Sequence, residues 1–292
     1  MGDFTDLFLK LKTAWLILPV LALSACNIIN PAEPVPAYLH VEPFVFSTAD
    51  ISQGSADHKI EDVWVYIDDD LQGVYELPAT FPVIANGYHT IKLRPGIYFN
   101  GVKASRFPYP FYSIYDTLIN FMPGNEHVIA PSATYTAGLD FTNENFDSGG
   151  GIIFDTTSVS KAKMEVTNIP GEVYEGTGTG KAILDSAHSV MEIATGALFL
   201  PVLGSQRTFI EVNYRSTIPL VVGLIANGYT PDHVSIITLK PNTEWNKLYL
   251  EITNPAHALS EATSFQVFFY ARIYDVNSTD TVYLDNFKVI HD

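Results

Sequence analysis

From Phe141 onward the chain reads as a train of short apolar runs, and no other feature narrows its fold as much. "KAILD", "SVMEIA", "TFIEVNYR", "IPLVVGLI", "VSIITL", "NKLYLEI", "FQVFFYARIY" and "TVYLDNFKVI" follow one another. Each is of strand length, rich in β-branched and aromatic residues, and set off by turn-forming residues. Eight or so such strands suit a jelly roll or similar sandwich, in which facing sheets bury each other. The first half carries the same period of two. In "IEDVWVYIDDDLQGVYELPATFPV", Val63, Val65 and Ile67 fall on one side and Trp64 and Tyr66 on the other, before "DDDLQG" turns the chain. "GYHTIKLRPGIY" repeats the pattern with His89, Ile91 and Leu93. The chain is therefore expected to be all-β: one β-sandwich over residues 37–136 and a second, a jelly roll, over residues 137–292.

The start of the chain addresses destination, not fold. Lys10 and Lys12 precede the apolar run "AWLILPVLALSA", Ala14 to Ala25, which is shorter than the roughly 20 residues a membrane-spanning helix needs. That layout is an export signal. Leu23, Ser24 and Ala25 stand directly before Cys26, the one cysteine of 292 residues, and this resembles the lipobox of bacterial lipoproteins. The resemblance implies cleavage after residue 25, a diacylglycerol thioether on Cys26 and an acylated new amino terminus. Cys26 has no partner for a disulfide within the chain, which suits an anchor. Several acyl chains at about 0.8 kcal/mol per buried CH₂ hold a protein to a membrane essentially for good. Pro31, Pro34 and Pro36 then favour an extended tether over residues 26–36. Asn27 after the cysteine, by the sorting rule familiar for such lipoproteins, implies the outer membrane, with the leaflet left open.

Charge excludes one class of partner. Residues 1–25 carry two cations and two anions, so their removal leaves the formal net charge at −16. Nucleic acid is not an expected partner, because phosphate binding needs a basic field.

Several motifs are excluded by spacing. Asp68, Asp70 and Gly73 imitate a calcium loop, but position five is Gln72 and position twelve is Ala79. "GTGTGKA" would be a phosphate loop only with Gly at 175 and Ser or Thr at 182, where the chain has Glu175 and Ala182. Gly176, Gly178 and Gly180 read instead as a flexible turn. The eight histidines form no zinc-binding pair, and no G-x-S-x-G elbow is present. Carboxylates could be assembled from distant strands, but nothing in their spacing selects a pair, so the chain is expected not to be an enzyme and to require no cofactor.

The densest local text is "RPGIYFNGVKASRFPYPFYSIYDTLINF". Its rings crowd beside Lys92, Arg94, Lys103 and Arg106, and exposed aromatics next to arginine are what protein interfaces favour. Arg94, Arg106, Phe107, Tyr109, Phe111 and Tyr112 are the candidate interface residues. The alternative is that half of these rings fill the sandwich core while the cations guard an edge strand.

Two resemblances bear on the domains. The strand, Asp/Gly turn and "GYHTIKL" strand of the first are similar to PEGA-type or other small immunoglobulin-like modules, over some 40 residues. "FTNENFDSGGG", "GTGTGKAILD", "PNTEWNKLYLEI" and "VYLDNFKVI" resemble the galactose-binding-like jelly roll of carbohydrate-binding modules and Bacteroidetes surface lipoproteins. That resemblance implies a structural calcium where the opening loop meets the last strand, at the matching Asp147 and Asp285. It also implies that Trp245 is buried as it enters a strand, leaving Tyr214, Tyr229, Tyr270 and Tyr274 as candidates for stacking on a sugar. The expected function is that of a non-catalytic, lipid-anchored interaction or scaffold subunit beside outer-membrane proteins. The alternative is a glycan-binding lipoprotein that captures polysaccharide with its jelly roll.

Overall fold

The computed structural model describes residues 33–147, 152–201, 204–228, 232–275 and 277–292. The export signal and Cys26 lie outside them. The first domain has ten strands: β1 (Ala37–Val41), β2 (Val45–Ser47), β3 (Asp62–Ile67), β4 (Asp70–Glu76), β5 (Ala79–Val83), β6 (Gly87–Tyr98), β7 (Arg106–Pro108), β8 (Tyr115–Phe121), β9 (Glu126–Ile129) and β10 (Ser132–Thr134). One sheet runs β4-β3-β6-β7, with β8 also on β6; opposite it lie β5-β1-β9 and the pair β10-β2. Val63, Val65 and Ile67 of β3 and Ile91 and Leu93 of β6 point into the core with Leu39, Val41 and Phe81 of the facing layer. Asp68 and Asp69 form the two-residue hairpin between β3 and β4, both at positive φ, 49° and 69°. The Asp68 carboxylate closes that turn by accepting from the Thr90 amide at 2.9 Å and facing His89 Nδ1 at 2.6 Å.

The second domain begins at β11 (Asp140–Glu144) and continues through β12 (Phe154–Thr156), β13 (Glu165–Thr167), β14 (Thr179–Leu184), β15 (Val190–Thr195), β16 (Thr208–Ser216), β17 (Leu220–Asn227), β18 (His233–Leu239) and β19 (Asn242–Glu251). A short helix, α1 (Thr253–Ala258), precedes β20 (Ser264–Arg272) and β21 (Asp280–His291). Its main sheet has the order β13-β14-β21-β16-β19, with β11 on the C-terminal half of β21; the second sheet runs β12-β15-β20-β17-β18. Ile210 and Val212 of β16, Leu248 and Leu250 of β19, and Phe287 and Val289 of β21 meet Leu224, Val267 and Phe269 between the two sheets. The architecture is the two-layered, all-β one expected from the alternating runs.

Period-two logic predicts a solvated outer face for the main sheet. Half of that face is instead buried. Phe209, Tyr249 and Ile290 point away from the jelly-roll core and join the hydrophobic cluster of the first domain. The two sandwiches therefore share packing, and Phe99 even bridges to Tyr249 as a parallel β-pair.

Candidate functional site

The main sheet's outer face has a covered half and an open half, and the boundary between them is set by the segment at residues 52–59. On the covered half, Glu211 sits in the middle of β16 with no exposure to solvent. Its Oε1 accepts from the hydroxyls of Tyr109, at 2.9 Å, and Tyr135, at 3.1 Å. Its Oε2 lies 3.4 Å from Lys247 Nζ, and the same ammonium donates to the Asp57 carbonyl at 2.8 Å and stands 3.3 Å from its carboxylate. Lys288 Nζ donates to the Ser55 carbonyl at 2.6 Å and to Tyr135 Oη at 3.0 Å. Burial pushes Lys288 down to about 8, with the Glu211 charge opposing the shift. Burial pushes Asp57 up, but the Lys247 ammonium and donors from Tyr174 and Asn213 outweigh it, so its carboxyl titrates below the usual range. The tyrosines at 109, 112, 135 and 249 are all held well above the ordinary phenol value, by burial first and then by the Glu211 charge. These groups face one another at the junction of two domains, so their chemistry is that of a lock.

The candidate interface residues are thereby split. Tyr109, Phe111 and Tyr112 are 2%, 1% and 3% exposed and form the floor of the interdomain contact. They are not available to an external partner, because their rings pack edge-on against Phe209 and Tyr249 of the same chain. Phe107 is half-buried beside Phe99. Arg94 and Arg106 stand on the outer face of the first domain's sheet, where Arg94 is paired in register with Trp64. Arg106 is neutralised by Asp62 and Glu76 and lies 5.4 Å from the Tyr98 ring.

On the half that the first domain leaves uncovered, the open half, four part-buried side chains form a row straight across the main sheet, with Gly171, Glu172 and Tyr174 laid against them. Lys181 on β14 is in register with Tyr283 on β21, which is in register with Arg215 on β16. Trp245 on β19 comes next, its ring 5.1 Å from the Arg215 guanidinium. The guanidinium also lies 4.2 Å from the Tyr283 ring, and Lys181 Nζ stands 5.6 Å from that ring. Cation and ring thus alternate over four strands, a span of about 14 Å at about 4.8 Å per strand. Tyr174 closes the row, its ring 4.9 Å from Trp245 and its hydroxyl donating to Asp57 at 2.6 Å. Trp245 is half-buried on the outer face. This corrects the expectation of a buried Trp245: the strand enters the sheet one residue out of phase with the core side chains Leu248 and Leu250.

Beyond Lys181 the face falls into a groove of about 620 Å³. Lys161, Lys163, Lys181 and His188 line it together with Glu165 and Asp185. Val166, Ile169 and Ile183 give it apolar walls, each about half exposed.

Of the other stacking candidates, Tyr214 belongs to the jelly-roll core. Tyr229 lies outside the described residues. Tyr270 and Tyr274 line a smaller groove of about 420 Å³ on the second sheet with Arg272, and Tyr274 is 87% exposed.

Asp147 and Asp285 are brought to either side of the loop at residues 175–179. Asp147 Oδ1 accepts from the Thr177 amide and hydroxyl, and its Oδ2 from Asn145 at 2.9 Å. Asp285 Oδ2 accepts from the Thr179 hydroxyl at 2.5 Å and Oδ1 from the Asn286 amide at 2.8 Å. All four carboxylate oxygens are thus engaged by the chain, and among the described residues no group of three acidic, His or Cys side chains is arranged to hold a metal. That donor set does not fit a cation wanting six to eight oxygens. Burial pushes Asp285 up to about 7, against the pull of the Thr179 and Asn286 donors. The glycine turn is likewise corrected. A Cβ on Gly178 would meet the Phe146 carbonyl at 2.2 Å and one on Gly180 the Phe146 ring at 2.6 Å, so these glycines permit close approach, not flexibility.

No protein-family model matches the chain, and no curated protein matches it. Solved structures do align. A family 29 carbohydrate-binding module covers 52% of this chain and 88% of its own, at 10% identity and a TM-score of 0.35. A variant of a family 29 module complexed with mannohexaose covers 52% and 92%, at 11% identity and a TM-score of 0.34. Another, complexed with cellulohexaose, covers 51% and 89%, at 10% identity and a TM-score of 0.32. At these scores the likeness says nothing about a ligand. The residues of the open face must carry that argument themselves.

Proposed function

We propose that this protein is a non-catalytic carbohydrate-binding lipoprotein whose jelly roll takes saccharide on the open half of its main sheet. The observation that carries the reading is the row Lys181, Tyr283, Arg215 and Trp245. Trp245 and Tyr283 are part-exposed, and ring surface left open in this way stacks on the apolar faces of pyranoses while flanking cations supply donors for hydroxyls. The first domain covers the rest of the face and holds the sheet rigid, so the row is preorganised and little ordering entropy is lost on binding. Affinity electrophoresis of the full chain through gels containing plant, host and microbial polysaccharides tests this. Retardation by at least one polysaccharide, reduced by Trp245→Ala and by Tyr283→Ala, is expected. Unretarded migration in every gel would sink the reading.

Export and lipidation at Cys26 are proposed from the signal and lipobox. Cys26→Ala should release the protein from membranes that retain the wild type through carbonate and high-salt washes; unchanged fractionation would refute it. The second reading, an interaction subunit beside outer-membrane proteins, draws on the first domain's outer face, where Trp64 Nε1 is buried without a hydrogen-bond partner opposite Arg94. Pull-down from detergent-solubilised membranes should then recover a stoichiometric partner that Arg94→Glu loses. Recovery of the protein alone counts against it.

A further inference from the structure

We infer that the saccharide taken by this face is acidic: a chain bearing carboxylates, as a uronate polymer does. The inference rests on the saccharide reading above and adds the charge of the ligand to it. Its first support is Arg215. The guanidinium lies on two rings, and its one hydrogen bond within the described chain is a long one, 3.4 Å to the Gly171 carbonyl. Among the described residues no carboxylate lies within ion-pair distance of it, so its other donors have no partner there. A planar guanidinium fixed by stacking and left with unused donors is the group best matched to a carboxylate, which it grips with two parallel hydrogen bonds.

The groove supplies the second support. Lys161 and Lys163 flank buried Ala162, so both project to the solvent side, and neither has a side-chain ion pair among the described residues. The carboxylates near them are already engaged or few. Glu172 is bound to Lys181 at 2.5 Å and also accepts from Tyr283, Asp185 accepts from the Ala187 and His188 amides, and among the described residues only Glu165 lines the groove with its carboxylate unengaged. The groove thus has aliphatic walls and a lining with one more cation than anion, two of its lysines unpaired, on a chain of net charge −16. At physiological ionic strength the repulsion from that net charge is screened beyond about 8 Å, whereas contacts inside the groove are not. The combination of stacking rings, apolar walls and unpaired cations selects an acidic sugar over a neutral one and over a bare polyanion.

The test is affinity electrophoresis and titration calorimetry of the full chain with polygalacturonate, the same polymer fully methyl-esterified, a neutral galactan and dextran sulfate. Polygalacturonate should bind at least tenfold more tightly than its methyl ester or the galactan. Arg215→Gln and the pair Lys161→Gln with Lys163→Gln should each erase most of that preference, while the thermal midpoint moves by no more than a few degrees. Equal binding of the ester and the acid, unchanged in Arg215→Gln, overturns the inference and leaves saccharide binding standing. Binding of dextran sulfate as tight as that of polygalacturonate and indifferent to Trp245→Ala would make the face a simple anion exchanger and also overturn it. Binding of none of the four polymers, with none found across the wider panel, removes the saccharide reading itself.

Discussion

Replacing Glu211 with Gln removes one charge and little volume from the contact between the domains, and its cost can be worked from the distances. At 3.4 Å from Lys247 Nζ the carboxylate gains about 5 kcal/mol of gross attraction at an effective dielectric of 20. The two tyrosine hydroxyls that donate to Oε1 lose the charge-assisted part of their bonds, about 1 kcal/mol each. Against this stands the desolvation the carboxylate no longer suffers, several kcal/mol for a buried ion. Lys247 keeps Asp57, but Lys288 loses the charge that does most to hold its proton. The net expectation is the 3–5 kcal/mol typical of a buried pair broken on one side. For a chain of this size that lowers the thermal midpoint by roughly 6–15 °C. Calorimetry should show one transition in the wild type, because the domains share a core, and a lower and broader or divided one in Glu211→Gln. Adding Lys247→Met, which removes the orphaned charge, should restore part of the loss. A midpoint within 2 °C of wild type in the single variant would refute the argument and make the network an energetically neutral registry device.

Three further outcomes are expected. Asp285 titrates at about 7 in the folded chain against 3.8 for a free aspartate, so the folded state holds the extra proton between those values. Stability should fall as pH rises from about 4 through 7, by about 4 kcal/mol at most, and Asp285→Asn should flatten that slope in urea titrations; an unchanged slope would show that the carboxyl ionises freely. Gly180→Ala should cost about 1–3 kcal/mol by forcing the Phe146 ring aside, read as a lowered urea midpoint, and a neutral effect would mean that the ring has room to move. Exchanging 1 mM calcium for a chelator should leave the thermal midpoint within 1 °C; a rise of several degrees that Asp147→Asn abolishes would place an ion where the structure shows hydrogen bonds.

The strands were legible because period-two alternation records which side of a sheet meets a core. Val63, Val65 and Ile67 and the runs after Phe141 needed nothing more. What alternation could not convey is that both sides of a strand meet cores. In "TFIEVNYR" the outward series Phe209, Glu211, Asn213 mixes a ring with polar groups and reads as a solvated face, yet all three are buried beneath the first domain. The dense aromatic segment did signal an interface, but composition does not say whether the partner is another protein or residues 209–290 of the same chain. The row on the open face was missed for a related reason. Its four members are 34, 30 and 38 residues apart in the chain and become neighbours only through the order of strands. Lys181 and Tyr283 fall at degenerate positions of ordinary strand text. The one visible hint was the order "TEWNKLYLEI", in which Trp245, Lys247 and Tyr249 share the side opposite Leu248 and Leu250.

Sharing a core also fixes an order of events while the chain is being made. Tyr109, Phe111, Tyr112 and Tyr135 are synthesised first, and the rings and ions they rest against, from Phe209 to Ile290, come last. At about 5–20 residues per second the gap is on the order of ten seconds. For that interval the first domain presents a sticky, half-made surface with nothing to cover it. A chain built this way depends on a holding factor, or on delay of its own folding, until the C-terminal strand arrives. For the same reason the two halves would be poor currency for domain shuffling: a recombination event that cut near residue 136 would strand an aromatic face on one product and two buried lysines on the other.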